Sequence, residues 1–195
     1  MEDIMKKFLS MLLALVLVLS VLAVFSACDS DDKKKDDDDK KEAATTTENK
    51  VEIPDGYKLY EGDAFSFAYP KSWSVDTTAS LPIIKDMTTG NNINIYTEAK
   101  TTVYDGLTLE RFNSEFVPAY SATGMTVTNA SVNNKTTNGI SLIEIKYSAT
   151  MGEINMKQTQ FIFTEGESTY TVTVTEVQAV DGLADNVFKT LKPTK

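Results

Sequence analysis

The residue types that carry most protein chemistry are scarce in this chain of 195 residues. It has no histidine, so the commonest general base and transition-metal ligand is missing. It has one cysteine, Cys28, set in the stretch VFSACDSDD where an apolar run meets a run of charge. No Ser-His or Cys-His nucleophile pair can be drawn, nor an ordinary zinc set. The patterns G-x-S-x-G, G-x-x-x-x-G-K-[ST] and G-x-G-x-x-G do not occur, so neither a nucleophile elbow nor a phosphate cradle is indicated. A Ser-x-x-Lys spacing at Ser30–Lys33 falls in low-complexity sequence and reads as chance.

Carboxylates remain. They would permit an acid/base pair or a hard-cation site, but their spacing singles out no pair. Asp181 and Asp185 stand four residues apart and could share a helix face. The blander reading has Asp181 serving a helix N-terminus and Asp185 in solvent. The only arginine, Arg111, is four residues from Glu115, the spacing of a surface ion pair. Four consecutive aspartates, Asp36–Asp39, lack the alternation and glycine turn of a calcium loop. Trp73 with Phe65, Phe67 and Tyr69 could line a pocket, although aromatics alternating on a strand are usually core. The expectation is no catalytic residue, no cofactor and no identifiable metal ligand.

The elements around these residues divide the chain into three. Lys6 and Lys7 precede an almost wholly apolar run, Phe8 to Phe25, closed by the small residues Ser26 and Ala27. This is the layout of an export signal. A run of 18 residues is at the lower edge for spanning a bilayer, which leaves an uncleaved anchor as the competing reading. Residues 29–50, DSDDKKKDDDDKKEAATTTENK, hold nine acidic and six basic side chains and nothing apolar larger than Ala. Such a stretch cannot bury enough surface to offset its chain entropy, and is expected to be a disordered tether. Residues 51–195 remain, one domain by length, with a net charge of −6. An acidic domain of this kind repels nucleic acid.

Within it, Tyr57–Tyr60 and Ala64–Tyr69 read as strands. In the second, Phe65, Phe67 and Tyr69 alternate with small residues, which predicts one buried face, and Pro70 ends it. Leu81–Met87 and Asn92–Ala99 follow, the latter with Ile93 and Ile95 on one face. Leu109, Phe112, Phe116 and Tyr120 then recur at helical spacing, with Thr108 as N-cap and Gly124 as C-terminal stop. Pro118 inside this stripe should kink the helix or end it near Val117. Met125–Asn133, Ile140–Thr150, Ile154–Thr164 and Thr169–Val177 are joined by tight turns into an antiparallel meander. Thr169, Thr171, Thr173 and Thr175 share one parity, expected to be solvated or thinly covered. A helix from Val180 to Leu191, with Leu183, Val187 and Leu191 along one side, closes the chain against the sheet.

Two resemblances sharpen this. Phe25-Ser26-Ala27-Cys28 resembles the lipobox of bacterial lipoproteins. It implies a diacylglycerol on the Cys28 thiol and cleavage before it. Residues 1–27 would then be a lipoprotein signal peptide, 28–50 a charged tether and 51–195 the folded domain, held on the outer face of the bacterial cytoplasmic membrane. FSFAYPKSW, with TYTVTVTEV and LADNVFKTLK near the end, resembles the PsbP/Mog1-like fold over about Tyr57 to Leu191. That resemblance implies an α+β domain, an antiparallel β-sheet flanked by helices in an α-β-α sandwich. The roles known in that family are accessory and protein-binding, and none of its functional residues transfers to a position here. The expectation is a non-catalytic binding or accessory module for another envelope protein. The alternatives are a small-ligand or divalent-cation binder and, as a minor reading, a carboxylate-based hydrolase.

Overall fold

The computed structural model describes residues 51–77 and 81–194. Cys28, the apolar run, the tether and Ser30–Lys33 lie outside the described residues.

Turn chemistry and alternation set out ten strands. β1 (Tyr57–Glu61) and β2 (Phe65–Pro70) form a hairpin, to which the short closing strand β10 (Lys192–Pro193) adds. β3 (Ser74–Asp76), β4 (Ile83–Lys85), β5 (Asn92–Ala99), β6 (Met125–Thr137), β7 (Ile140–Met151), β8 (Ile154–Glu165) and β9 (Ser168–Glu176) make a second sheet, ordered β3-β4-β5-β9-β8-β7-β6. Every pairing in both sheets is antiparallel. The α+β class and the flanked antiparallel sheet expected from the sequence are what the chain adopts. The first hairpin, however, forms a separate three-stranded sheet.

Side chains alternate across a strand, so each face of the large sheet carries its own core. On the first face Ile93, Ile95, Phe161, Phe163, Val172 and Val174 meet Phe65 and Phe67 of the small sheet and Leu183, Val187 and Leu191 of the closing helix. Each fully buried side chain of this size contributes about 1.5–3 kcal/mol. On the second face Ile145, Tyr147 and Ile162 meet Leu107, Phe112 and Phe116. β2 is buried on both sides, against the expectation of one: Ser66 and Ala68 are as enclosed as Phe67. Their small side chains admit the closing helix, and the Ala68 N–H donates to Thr190 Oγ1 at 2.8 Å.

The helical stripe is built in three pieces. α1 (Leu109–Arg111) opens with Thr108 Oγ1 accepting from the Arg111 N–H, as an N-cap should. A π-helical turn, Phe112–Phe116, follows, in which the Val117 N–H reaches back to the Phe112 carbonyl. α2 (Val117–Ala122) then begins afresh with Pro118 in its first turn, where a missing N–H costs nothing. The proline neither ends nor breaks the helix, because the wider turn before it absorbs the mismatch. Gly124, at φ 85°, stops it as expected. Leu109 leaves the apolar stripe and is 42% exposed, while Leu107 occupies the core in its place.

The four threonines of β9 are buried, not solvated. Thr171 pairs across the sheet with Ile162, and Thr175 with Gln158, on the face that carries the second core. The closing helix, α3 (Leu183–Thr190), starts later than expected, with Gly182 as N-cap. Asp181 therefore precedes the helix, and the shared helical face with Asp185 does not form.

Candidate functional site

Arg111 organises the main concavity. Its guanidinium forms the expected pair with Glu115, at 3.1 Å. It also donates to the carbonyls of Asp105 (2.8 Å) and Val103 (2.9 Å), a planar fork matched to several acceptors at once. The segment between β5 and α1 is thereby tied to the helix. Its near end is fixed to the sheet, with Thr169 Oγ1 accepting from the Thr101 N–H at 3.2 Å.

Between this loop and the second face lies a groove of about 650 Å³, within the range of ligand pockets. Tyr104, Ile143 and Ile162 supply apolar walls, and Asn134, Thr136 and Ser141 line the side toward β6. Asp105 and Lys135 are the charged residues among its described lining. The Tyr104 phenol is held protonated well above the usual tyrosine range, first by burial and then by the charge of Glu98.

β6 borders this groove and is an edge strand of the large sheet. The opposite edge, β3, is only three residues long, whereas β6 runs for 13. Sequence alternation had ended β6 at Asn133. Four more residues pair with β7 up to the Asn138-Gly139 turn, both of whose φ angles are positive, as a two-residue hairpin turn requires.

A smaller groove of about 300 Å³ lies on the first face beside the start of α3, lined by Lys146, Lys157, Glu176 and Asp185 among others. Both carboxylates are engaged: Glu176 accepts from the Val180 N–H at 3.0 Å, and Asp185 is 3.8 Å from Lys146. Next to it sits a group that the sequence reading passed over. Glu144 is 2% exposed and is held by Lys135 (2.9 Å) and Lys146 (3.3 Å). A glutamate on the same strand parity as Ile140 and Leu142 was the available signal. The second face carries a polar chain as well. The Tyr147 hydroxyl donates to Gln158 Oε1 and accepts from Gln160 Nε2, and Gln158 Nε2 reaches Thr175 Oγ1 at 3.1 Å.

Trp73, Phe65, Phe67 and Tyr69 belong to the core, at 5% exposure or less, and line neither of these two grooves. Among the described residues no three carboxylate or thiol groups converge as metal ligands do. Also among them, no helix is long and apolar enough to cross a membrane.

No protein-family model and no curated protein matches the chain. Among solved structures it is similar to cyanobacterial PsbP (CyanoP) from Synechocystis sp. PCC 6803, with 17% identity and a TM-score of 0.50 over 70% of this chain and 91% of that one. A Bacteroides thetaiotaomicron VPI-5482 protein is more distant, with 15% identity and a TM-score of 0.44 over 67% of this chain and 45% of that one. The domain has a PsbP-like fold.

Proposed function

We propose that the chain is an extracytoplasmic lipoprotein, anchored through lipid on Cys28, and that its folded domain is a non-catalytic binding or accessory module for another envelope protein. The observation that carries this reading is the groove of about 650 Å³ beside a 13-residue strand edge. Its hydroxyl and amide lining suits recognition, and its rim is open to a macromolecule. The charged stretch from Asp29 to Lys50 would give the domain reach: 22 residues of flexible coil average roughly 25 Å end to end. PsbP-like architecture is compatible with such a role.

The test is photocrosslinking on intact cells. A photoreactive residue replaces Ser141 in the groove or, as a control, Met87, which is 62% exposed on the far side of the sheet order. A discrete protein adduct from position 141 and not from position 87 is expected. Equal adducts from both, or none from 141, would refute the reading. The alternative, a small ligand in the groove, is favoured by its volume. It would show as a saturable rise in the thermal midpoint of the full chain across a metabolite and cell-wall-fragment panel. Ligand at 100 times its Kd stabilises by about 2.7 kcal/mol. Replacing Cys28 by alanine should abolish incorporation of labelled fatty acid and leave the chain at its larger, uncleaved size, read by metabolic labelling and gel mobility.

A further inference from the structure

Resting on the proposed binding role, we infer that the partner docks by strand addition: an extended, uncharged segment of it pairs with the Ser131–Thr137 stretch of β6 and lays alternate side chains into the groove. Antiparallel geometry identifies the available groups. A two-residue turn places its flanking pair, Thr137 and Ile140, as a hydrogen-bonded pair. Hydrogen-bonded and non-bonded pairs alternate from there, so Thr137, Lys135, Asn133 and Ser131 spend their main-chain groups on β7. Val132, Asn134 and Thr136 turn theirs outward, and no described group accepts from their N–H. Asn134 and Thr136 also line the groove, so one segment can satisfy both features.

Edge strands are ordinarily guarded by bulges, lysines or proline. In β6 the bulge lies at Thr128/Ser131, with Asn129 at φ 54°, and protects the first half alone. The lysine of the second half, Lys135, does not guard it. Its ammonium is 2.9 Å from buried Glu144 and 5.0 Å from the centre of the Phe188 ring, on the first face. That leaves seven regular residues whose one charge is neutralised, in a chain of net charge −9. An acidic segment meets general repulsion there, and a basic one finds no carboxylate on β6 itself, only Asp105 in the groove beside it. A neutral extended segment fits, with main-chain pairing for affinity and the groove for side-chain choice.

Photoreactive residues placed singly at Val132, Asn134 and Thr136 of the full chain, on its own cells, read the geometry. The adducts should map to one partner segment and advance by two residues for each two-residue step along β6. Asn134→Pro and Thr136→Pro remove outward donors without touching the β7 ladder. Each should cut the yield from position 141 by about tenfold, the equivalent of one to two net hydrogen bonds. If a proline variant does not fold, the double variant Asn134→Lys, Thr136→Lys takes its place as an edge guard. Adducts that scatter, or a yield from position 141 that survives these changes, would overturn strand addition while leaving groove binding intact. Adducts to β6 of a second copy would overturn the assignment to a different protein. Absence of adducts from every position, 141 included, would defeat the underlying reading too.

Discussion

Replacing Lys135 and Lys146 together by methionine would strand the Glu144 carboxylate in the interior. The structure sets the scale. Glu144 is 2% exposed, whereas Lys135 and Lys146 are 35% and 40% exposed. The pair is therefore asymmetric. Remove the glutamate and the two ammonium groups can turn into water; remove the lysines and the carboxylate cannot. An uncompensated buried charge costs about 3–5 kcal/mol. For a chain of this size each kcal/mol moves the thermal midpoint by roughly 2–4 °C, so the double variant should melt roughly 6–20 °C lower. Glu144→Gln keeps an acceptor in place and should cost about 1–2 kcal/mol. The triple variant, Glu144→Leu with both methionines, removes all three charges and should recover most of the loss, as apolar replacement of buried ion groups commonly does. Circular dichroism melts and urea titrations of the full chains would measure the cycle. A double-lysine variant that loses less than about 1 kcal/mol, or a triple variant weaker than the double, would refute the argument that desolvation of Glu144 sets the cost.

Three other outcomes follow from side chains already placed. Burial holds the phenols of Tyr104, Tyr120 and Tyr147 protonated above the usual tyrosine range. A raised folded pKa means that the folded state keeps protons which the unfolded state releases, so stability should fall as pH rises above about 10. Absorbance at alkaline pH should show these three phenols ionising only as the chain unfolds, and their ionisation while the chain is still folded would count against the assignment. Arg111→Lys should loosen the groove wall almost as much as Arg111→Ala, because an ammonium cannot span two carbonyls and a carboxylate as the guanidinium does. Faster amide exchange in residues 101–106, with a global loss below about 1 kcal/mol, is the expected reading for the partly exposed pair. Full protection in the lysine variant would count against it. Ser66→Ala should stabilise by about 1 kcal/mol, since Ser66 Oγ is buried with no partner among the described residues, and a destabilised variant in urea melts would show the hydroxyl to be satisfied.

What the sequence disclosed depended on whether one residue type could mean only one environment. Alternating aromatics located β2, alternating isoleucines located β5, and Asn138-Gly139 located a hairpin, because few conformations suit those residues. Threonine is ambiguous: its methyl accepts burial and its hydroxyl accepts solvent. The β9 threonines looked solvated until Phe112 and Phe116 were seen to pack on that face of the sheet. Pro118 was ambiguous in another way, since a proline forbids an α-helical interior but not a fresh first turn after a π-helical one. The groove was the least legible feature. Its walls come from a loop, hydroxyl and amide side chains and a strand edge, none of which has unusual chemistry alone. Arg111 was visible and its pair with Glu115 was foreseen, yet its bonds to Val103 and Asp105 depend on where the chain returns. Glu144 differs. A charged side chain on a parity otherwise occupied by Ile140 and Leu142 conflicts with burial unless cations share that face, and Lys146 does so two residues later. A local rule broken in the middle of a strong strand is where a sequence of this kind repays attention, because the fold must supply the partner.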